Sequence, residues 1–229
     1  MSDHQYKVIA LLGGTGSLGQ ALTRFLLDHT SATIRIFSRD EDKQEHMARL
    51  FAEHTNRLRF LLGDVRDLQR LKLALHHVDC VFHAAALKRI PQGEYNASEH
   101  VRTNIYGTEN VIQACIATGV HTAVFVSSDK AVHSINLYGM TKAVGERVWL
   151  QANSYAPQGT HFVALRYGNV AASRGSVLEV WRQCLDEGTP LPLTDPAMSR
   201  FWLTLPEAVT YAWYAACHLP RGCLFVPQL

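Results

Sequence analysis

The chain has 229 residues, of which 47% are hydrophobic and 18% charged, and 22 Lys and Arg stand against 20 Asp and Glu for a formal net charge of +2. That length is ample for a sizeable core, and the apolar content excludes a disordered chain. A charge so near zero excludes a general binder of nucleic-acid backbones, and no apolar run approaches the ~18 residues that a membrane-spanning helix needs.

Met1-Ser2-Asp3-His4 lacks the basic-then-apolar layout of a signal segment. The first predicted strand, Lys7–Leu12, runs into Gly13-Gly14-Thr15-Gly16-Ser17-Leu18-Gly19, and the helix Leu18–Leu27 follows. Glycines in a strand-to-helix turn let the backbone approach a pyrophosphate, which then lies at the positive helix N-terminus. Gly13, Thr15, Gly16, Ser17 and Leu18 are therefore expected to hold a dinucleotide.

The second strand, Thr33–Phe37, ends in Phe37-Ser38-Arg39-Asp40 and leads to the helix Asp42–Glu53. An acid at that strand end would bond the ribose hydroxyls of NAD, whereas an arginine accommodates the 2′-phosphate of NADP. Ser38 and Arg39 occupy the place, so NADP is expected in preference to NAD. Asp40 and Lys43 sit beside them, with Asp40 also placed to cap the next helix.

The third strand, Arg57–Leu62, ends in Gly63-Asp64-Val65, where a carboxylate could meet the adenine amino group; the helix Leu68–Leu75 follows. The fourth, Asp79–His83, ends in Ala84-Ala85-Ala86, small enough for a cofactor to pass close, with His83 read as a buried, hydrogen-bonded core residue. After the helix Val101–Ala117 comes the fifth strand, Thr122–Ser127, and then Ser128-Asp129-Lys130. The helix Leu137–Leu150 carries Tyr138 and Lys142, four apart and so on one face. An ammonium beside the phenol favours the phenolate, which makes Tyr138 a base for alcohol oxidation with Ser128 on the same oxygen.

Beyond the sixth strand, His161–Tyr167, Pro190, Pro192, Pro196 and Pro206 break the alternation, around helices at Ser176–Glu187 and Glu207–His218, and Leu224–Val226 is a last strand. The five cysteines contain no Cys-x-x-Cys pair, so neither a disulfide framework nor a metal site is expected, Cys217-His218 is read as packing, and the setting is expected to be cytoplasmic. The alternation predicts an α/β fold, a Rossmann-type doubly wound parallel sheet: residues 1–170 form the dinucleotide domain and 171–229 a small substrate-side region packed on it.

The glycine turn, Ser128, Tyr138 and Lys142 resemble the extended short-chain dehydrogenases/reductases. Ser127-Ser128-Asp129-Lys130-Ala131, Asn136-Leu137-Tyr138-Gly139, Ala86-Leu87-Lys88-Arg89-Ile90-Pro91 and the run Arg166 to Ser176 narrow the likeness to the inverting UDP-N-acetylglucosamine 4,6-dehydratases of polysaccharide biosynthesis. The resemblance implies C4 oxidation by Tyr138, with Lys130 as base for the C5 proton and Asp129 as acid for the departing C6 hydroxyl. It further implies Lys88 at cofactor and sugar, Asn169 on the sugar-phosphate side and Arg200 at the pyrophosphate of a UDP-sugar. The chain has Ser128 where the family usually has threonine, and it stops well before family members do, so it is either a short form or part of a longer one. A nucleotide-sugar epimerase, a 5,6-dehydratase and a non-catalytic NADP-binding sensor stay open as alternatives. The helices Val101–Ala117 and Leu137–Leu150, with Ala114, Ala117 and Ala143, are expected to support a homo-oligomer.

Overall fold

Short β-branched runs that are apolar on both sides become central strands, because in a parallel sheet covered by helices neither face meets water. The computed structural model describes residues 6–156, 159–171, 176–193 and 195–228. Met1–His4 and residues 172–175 of the motif that runs from Arg166 to Ser176 lie outside them.

The strands β1 (Val8–Leu12), β2 (Thr33–Ser38), β3 (Leu58–Leu62), β4 (Cys80–His83), β5 (Thr122–Val126), β6 (His161–Leu165) and β9 (Leu224–Phe225) form one sheet in the order β3-β2-β1-β4-β5-β6-β9. Every neighbouring pair is parallel. This is the doubly wound sheet expected from the alternation. One face is covered by α1 (Ser17–His29) and α9 (Leu205–His218), which pack Leu22, Leu26, Ala212 and Ala216 against Ile34, Val124 and Val163. The other is covered by α3 (Leu68–Leu75), α6 (Gly107–Thr118) and α7 (Leu137–Tyr155), which bring Leu71, Val111, Cys115 and Trp149 onto Phe125 and Phe162. Adjacent residues of β5 and β6 thus serve opposite cores, as the period of two requires. α9 and β9, though they belong to the last quarter of the chain, are built onto this sheet.

Side chains end the helices where the sequence offers them. Asp40 accepts from the Lys43 amide at the start of α2 (Glu41–Leu50), Asp67 caps α3 and Asn136 caps α7. At α9, Thr204 and Glu207 form a reciprocal capping box. α1 gets no side-chain cap.

Four features differ from expectation. The helix predicted at Val101–Ala117 is α5 (Ala97–Val101), a π-helical turn at Arg102–Tyr106, and α6. A short helix, α4 (Ile90–Tyr95), opens on Pro91, and β7 (Asn169–Val170) pairs in parallel with β8 (Trp202–Leu203). Ala114 is fully buried against the sheet side, so it cannot serve a helix contact between copies of the chain. None of the residues of α8 (Val177–Glu187) is buried. Among the described residues no helix is long and apolar enough to cross a membrane, and all five cysteines are free.

Candidate active site

The chain leaves β1 toward one side of the sheet and β4 toward the other, so a crevice opens between their carboxyl ends. Gly13 turns there with φ +79°, and a Cβ on it would lie 2.8 Å from the backbone of Ala85. Only glycine lets the first turn close on the loop after β4. The Gly13 amide donates to the Phe37 carbonyl at 2.9 Å, which ties the turn to β2 as well.

The first turn of α1 then points into this crevice with neither a capping side chain nor an acid in it. Four orphan amides and the positive end of a helix make an anion site. The backbone cradle and the uncapped helix fit the pyrophosphate of a dinucleotide, with Gly13, Thr15, Gly16, Ser17 and Leu18 on its wall.

A cleft of about 1390 Å³ continues from here over the ends of β2 to β6. Ser38, Arg39, Asp40, Lys43, Asp64 and Val65 line one end, and Ala84, Ala85 and Lys88 the middle. Arg39 Nη1 lies 3.6 Å from Asp64 Oδ2, and its side chain remains 53% exposed. Asp64 also accepts from Arg66 Nη2 at 2.8 Å. Burial opposes ionisation of Asp64, but the Arg66 hydrogen bonds and the Arg39 charge outweigh it and hold the carboxyl below the usual range. Its oxygens are thus committed to two arginines. Lys43 pairs with Asp40, and buried Ser38 accepts from Gln44 Nε2 at 3.0 Å.

The reactive side chains gather where β5 ends. Ser128 Oγ donates to Asp129 Oδ1 at 2.8 Å, and Lys130 Nζ donates to the same oxygen at 3.1 Å. Lys130 Nζ also donates to Asn169 Oδ1 at 3.1 Å, so the ammonium spans β5 and β7. The start of α7 closes on this turn, where a Cβ at Gly139 would lie 2.1 Å from the Lys130 carbonyl oxygen. That approach delivers Tyr138 to Ser128. Ser128, Lys130, Tyr138, Lys142, Asn169 and Arg200 all face the cleft, whereas the Asp129 carboxylate is folded back onto its two neighbours.

Burial pushes the Tyr138 phenol up to about 12, with the Ser128 hydrogen bond pulling the other way and the Asp129 charge adding to the rise. Lys142 does not stand against that phenol. Its ammonium is buried over the Phe125 ring, 4.1 Å from the centroid, and burial lowers it to about 7. Helical spacing places two residues on a face but does not choose a rotamer, and here the lysine borders the cleft with its ammonium over the Phe125 ring rather than at the phenol. His83 is the buried core histidine expected, with Nε2 3.1 Å from Thr108 Oγ1. Arg200 is exposed and donates to the Ser199 carbonyl at 2.7 Å.

Sequence reasoning missed Asn104. It sits on the π-helical turn, buried, and grips the loop after β4 by accepting from the Leu87 amide and donating to the Leu87 carbonyl, at 2.8 and 2.9 Å. It also donates to Thr141 Oγ1 at 3.0 Å, which joins that loop to α7. Its neighbours Arg102 and Thr103 are polar too, so the local pattern did not single it out. The aromatic wall made by Trp181 and Trp202 was missed too.

Residues 9–229 match the family model described as "Polysaccharide biosynthesis protein". The chain belongs to that family. It is 42% identical over 226 residues to UDP-N-acetylglucosamine 4,6-dehydratase (inverting) from Campylobacter jejuni, covering 97% of this chain and 67% of that one. It is also 43% identical over 227 residues to a UDP-glucose 4-epimerase of Rickettsia prowazekii, covering 97% and 66%. Among solved structures, Pen from Bacillus thuringiensis superposes with a TM-score of 0.93 at 37% identity, over 96% of this chain and 70% of that one. This family member therefore spans about two thirds of the length of the curated relatives it matches.

Proposed function

We propose that the chain carries the cofactor-binding and catalytic part of a nucleotide-sugar 4,6-dehydratase that acts on UDP-N-acetylglucosamine and inverts C5. The observation that carries this reading is the Asp129–Lys130 pair, pinned by Asn169 beside Tyr138 and Ser128. Tyr138 must first give its own phenolic proton to solvent, which the positive charge of a bound oxidised nicotinamide would favour against the burial that raises its pKa. The phenolate then takes the proton of the C4 hydroxyl while Ser128 bonds the same oxygen. When bound, a nicotinamide supplies the reversible hydride acceptor at this place. A ketone at C4 makes the C5 proton acidic, and elimination then needs a base for C5 and an acid for the C6 oxygen.

Lys130 and Asp129 answer to those two roles, but the ion pair they form at rest has each in the opposite charge state. One proton passing from Nζ to Oδ1 along the 3.1 Å contact corrects both. Desolvation by a bound sugar favours that neutral pair. After elimination the lysine holds the C5 proton and the aspartate is ionised, so the pair returns to its resting form. A 4-epimerase, the reading that the Rickettsia relatives support, needs Tyr138 and Ser128 but no such pair.

The cofactor in this reading is NADP, held with its 2′-phosphate between Arg39, Lys43 and Ser38. Residues 1–170 hold it, and 171–229 form a substrate-side region, with Lys88, Asn169 and Arg200 toward the UDP-sugar, in a cytoplasmic setting. Arg39→Ala is expected to weaken NADP binding roughly 10- to 100-fold, the worth of one charge-assisted hydrogen bond, and to leave NAD binding unchanged. Calorimetric titration with both cofactors tests it, and equal losses for the two would contradict it. Self-association is proposed over α6 and α7, where Ile116, Met140 and Val144 are exposed; light scattering should give a mass above that of the monomer.

A further inference from the structure

Asp64 lies just past β3, at the same end of the cleft as Ser38, Arg39 and Lys43. A carboxylate there works against a ligand that carries a phosphate in two ways. It repels the phosphate charge, and it competes with the phosphate for Arg39. Burial opposes the Asp64 charge, but the Arg66 hydrogen bonds and the Arg39 charge keep the carboxyl ionised. Some cation other than Arg39 must therefore answer it.

Arg66 does so. Its backbone amide donates to Asp64 Oδ1 at 2.9 Å, and its Nη2 donates to Oδ2 at 2.8 Å. Arg39 Nη1 approaches the same Oδ2 but stops at 3.6 Å, outside hydrogen-bond distance. Two arginines thus contend for one oxygen, and Arg66 holds it. The Arg39 side chain stays more than half exposed.

Arg66 is fastened from its other side as well. Its Nη1 donates to Glu99 Oε2 at 2.8 Å, and Glu99 Oε1 accepts from Arg102 Nη1 at 3.0 Å. Asn110 Nδ2, on α6, donates to the Val65 and Arg66 carbonyls at 3.1 and 2.9 Å, which ties down the loop after β3. Charges therefore alternate from Arg39 through Asp64, Arg66 and Glu99 to Arg102. A lone exposed ion pair contributes little, but a planar fork engaged at both prongs is already ordered and gives up less freedom on each contact.

We propose, on the NADP reading of the cofactor site, that Arg66 is a positioning residue that sets the preference for a phosphorylated dinucleotide: by occupying Asp64 Oδ2 and offsetting its charge, it leaves Arg39 to the 2′-phosphate. It acts through Asp64 and Arg39, both of which line the cleft. Without Arg66, the 3.6 Å contact closes into a salt bridge and the Arg39 charge is cancelled. A phosphate with about two negative charges then meets a neutral pair. NAD, which lacks that phosphate, is little affected.

Calorimetric titration of the full chain with NADP and with NAD gives the ratio of the two affinities, which is the quantity to follow. Arg66→Met keeps an unbranched stem and removes the guanidinium; it should lower the ratio roughly tenfold, through weaker NADP binding, the scale of one unit charge near a protein surface. Arg66→Lys keeps the charge but not the fork, so it should fall between parent and Arg66→Met, and it carries the test should Arg66→Met not fold. In an Asp64→Asn background no carboxylate is left to answer, and Arg66→Met should move the ratio by less than about threefold. A folded Arg66→Met chain with the parent ratio overturns the proposal. So does a fall as large in the Asp64→Asn background as in the parent, which would make Arg66 a direct contact or a support of the loop. A parent chain that binds NAD as tightly as NADP overturns the NADP reading and the proposal with it, whereas a parent that prefers NADP by a ratio the variants do not move overturns the proposal alone.

Discussion

Lys130→Ala is expected to abolish exchange of the sugar C5 proton and to slow loss of the C6 hydroxyl by roughly 10²- to 10⁴-fold, the usual worth of a positioned general base. Cofactor affinity should be unchanged, because the ammonium contacts Asp129 and Asn169 rather than the glycine turn. Asp129→Asn separates the two halves of the step: C5 exchange with solvent deuterium continues while water loss falls. Exchange at the parental rate in Lys130→Ala would remove the lysine from the role of base. If both variants lost cofactor binding, the pair would be structural.

Trp149→Ala is expected to cost about 3–5 kcal/mol of folding stability, the range for deleting a large buried aromatic side chain. Trp149 has no exposed surface, and its Nε1 donates to the Val163 carbonyl at 3.0 Å. Its ring meets Phe162 edge-on at 5.2 Å between centroids and packs on Phe125 and His83. Truncation leaves a cavity under the sheet and removes the bond to the Val163 carbonyl. Total stabilities of single domains are only about 5–15 kcal/mol, so the loss takes a large share. Urea denaturation should show it as a lower midpoint at unchanged slope; a cost below about 1 kcal/mol would mean that the core closes over the gap.

Much of the site was legible because its chemistry constrains residue type. A turn where a Cβ would lie 2.8 Å from the Ala85 backbone needs glycine at 13, and Arg39, read as a cation beside the cofactor, does line the cleft. Position along a strand or helix was legible for the same reason, since periods of two and 3.6 assign faces. Rotamers were not. Tyr138 and Lys142 share a face, yet the lysine turns to Phe125 and the phenol is raised by burial. Asp129 and Lys130 were named as a pair, but the fold of the carboxylate onto Ser128 depends on a turn fixed by Tyr167, whose carbonyl accepts from the Asp129 amide at 2.9 Å. The β7–β8 pair and the grip of Asn104 on Leu87 join residues distant in sequence, which local patterns do not report. Ala114 misled because small size suits both a close helix contact and a tight core, and here it serves the core.

Proton NMR of the chain with UDP-N-acetylglucosamine and NADP in heavy water tests the central claim most directly. The account predicts a new C6 methyl signal, deuterium at C5 and an inverted ring. A C4 epimer without a methyl signal would contradict it in favour of the epimerase, and an unchanged sugar in a sample that binds NADP would contradict it outright.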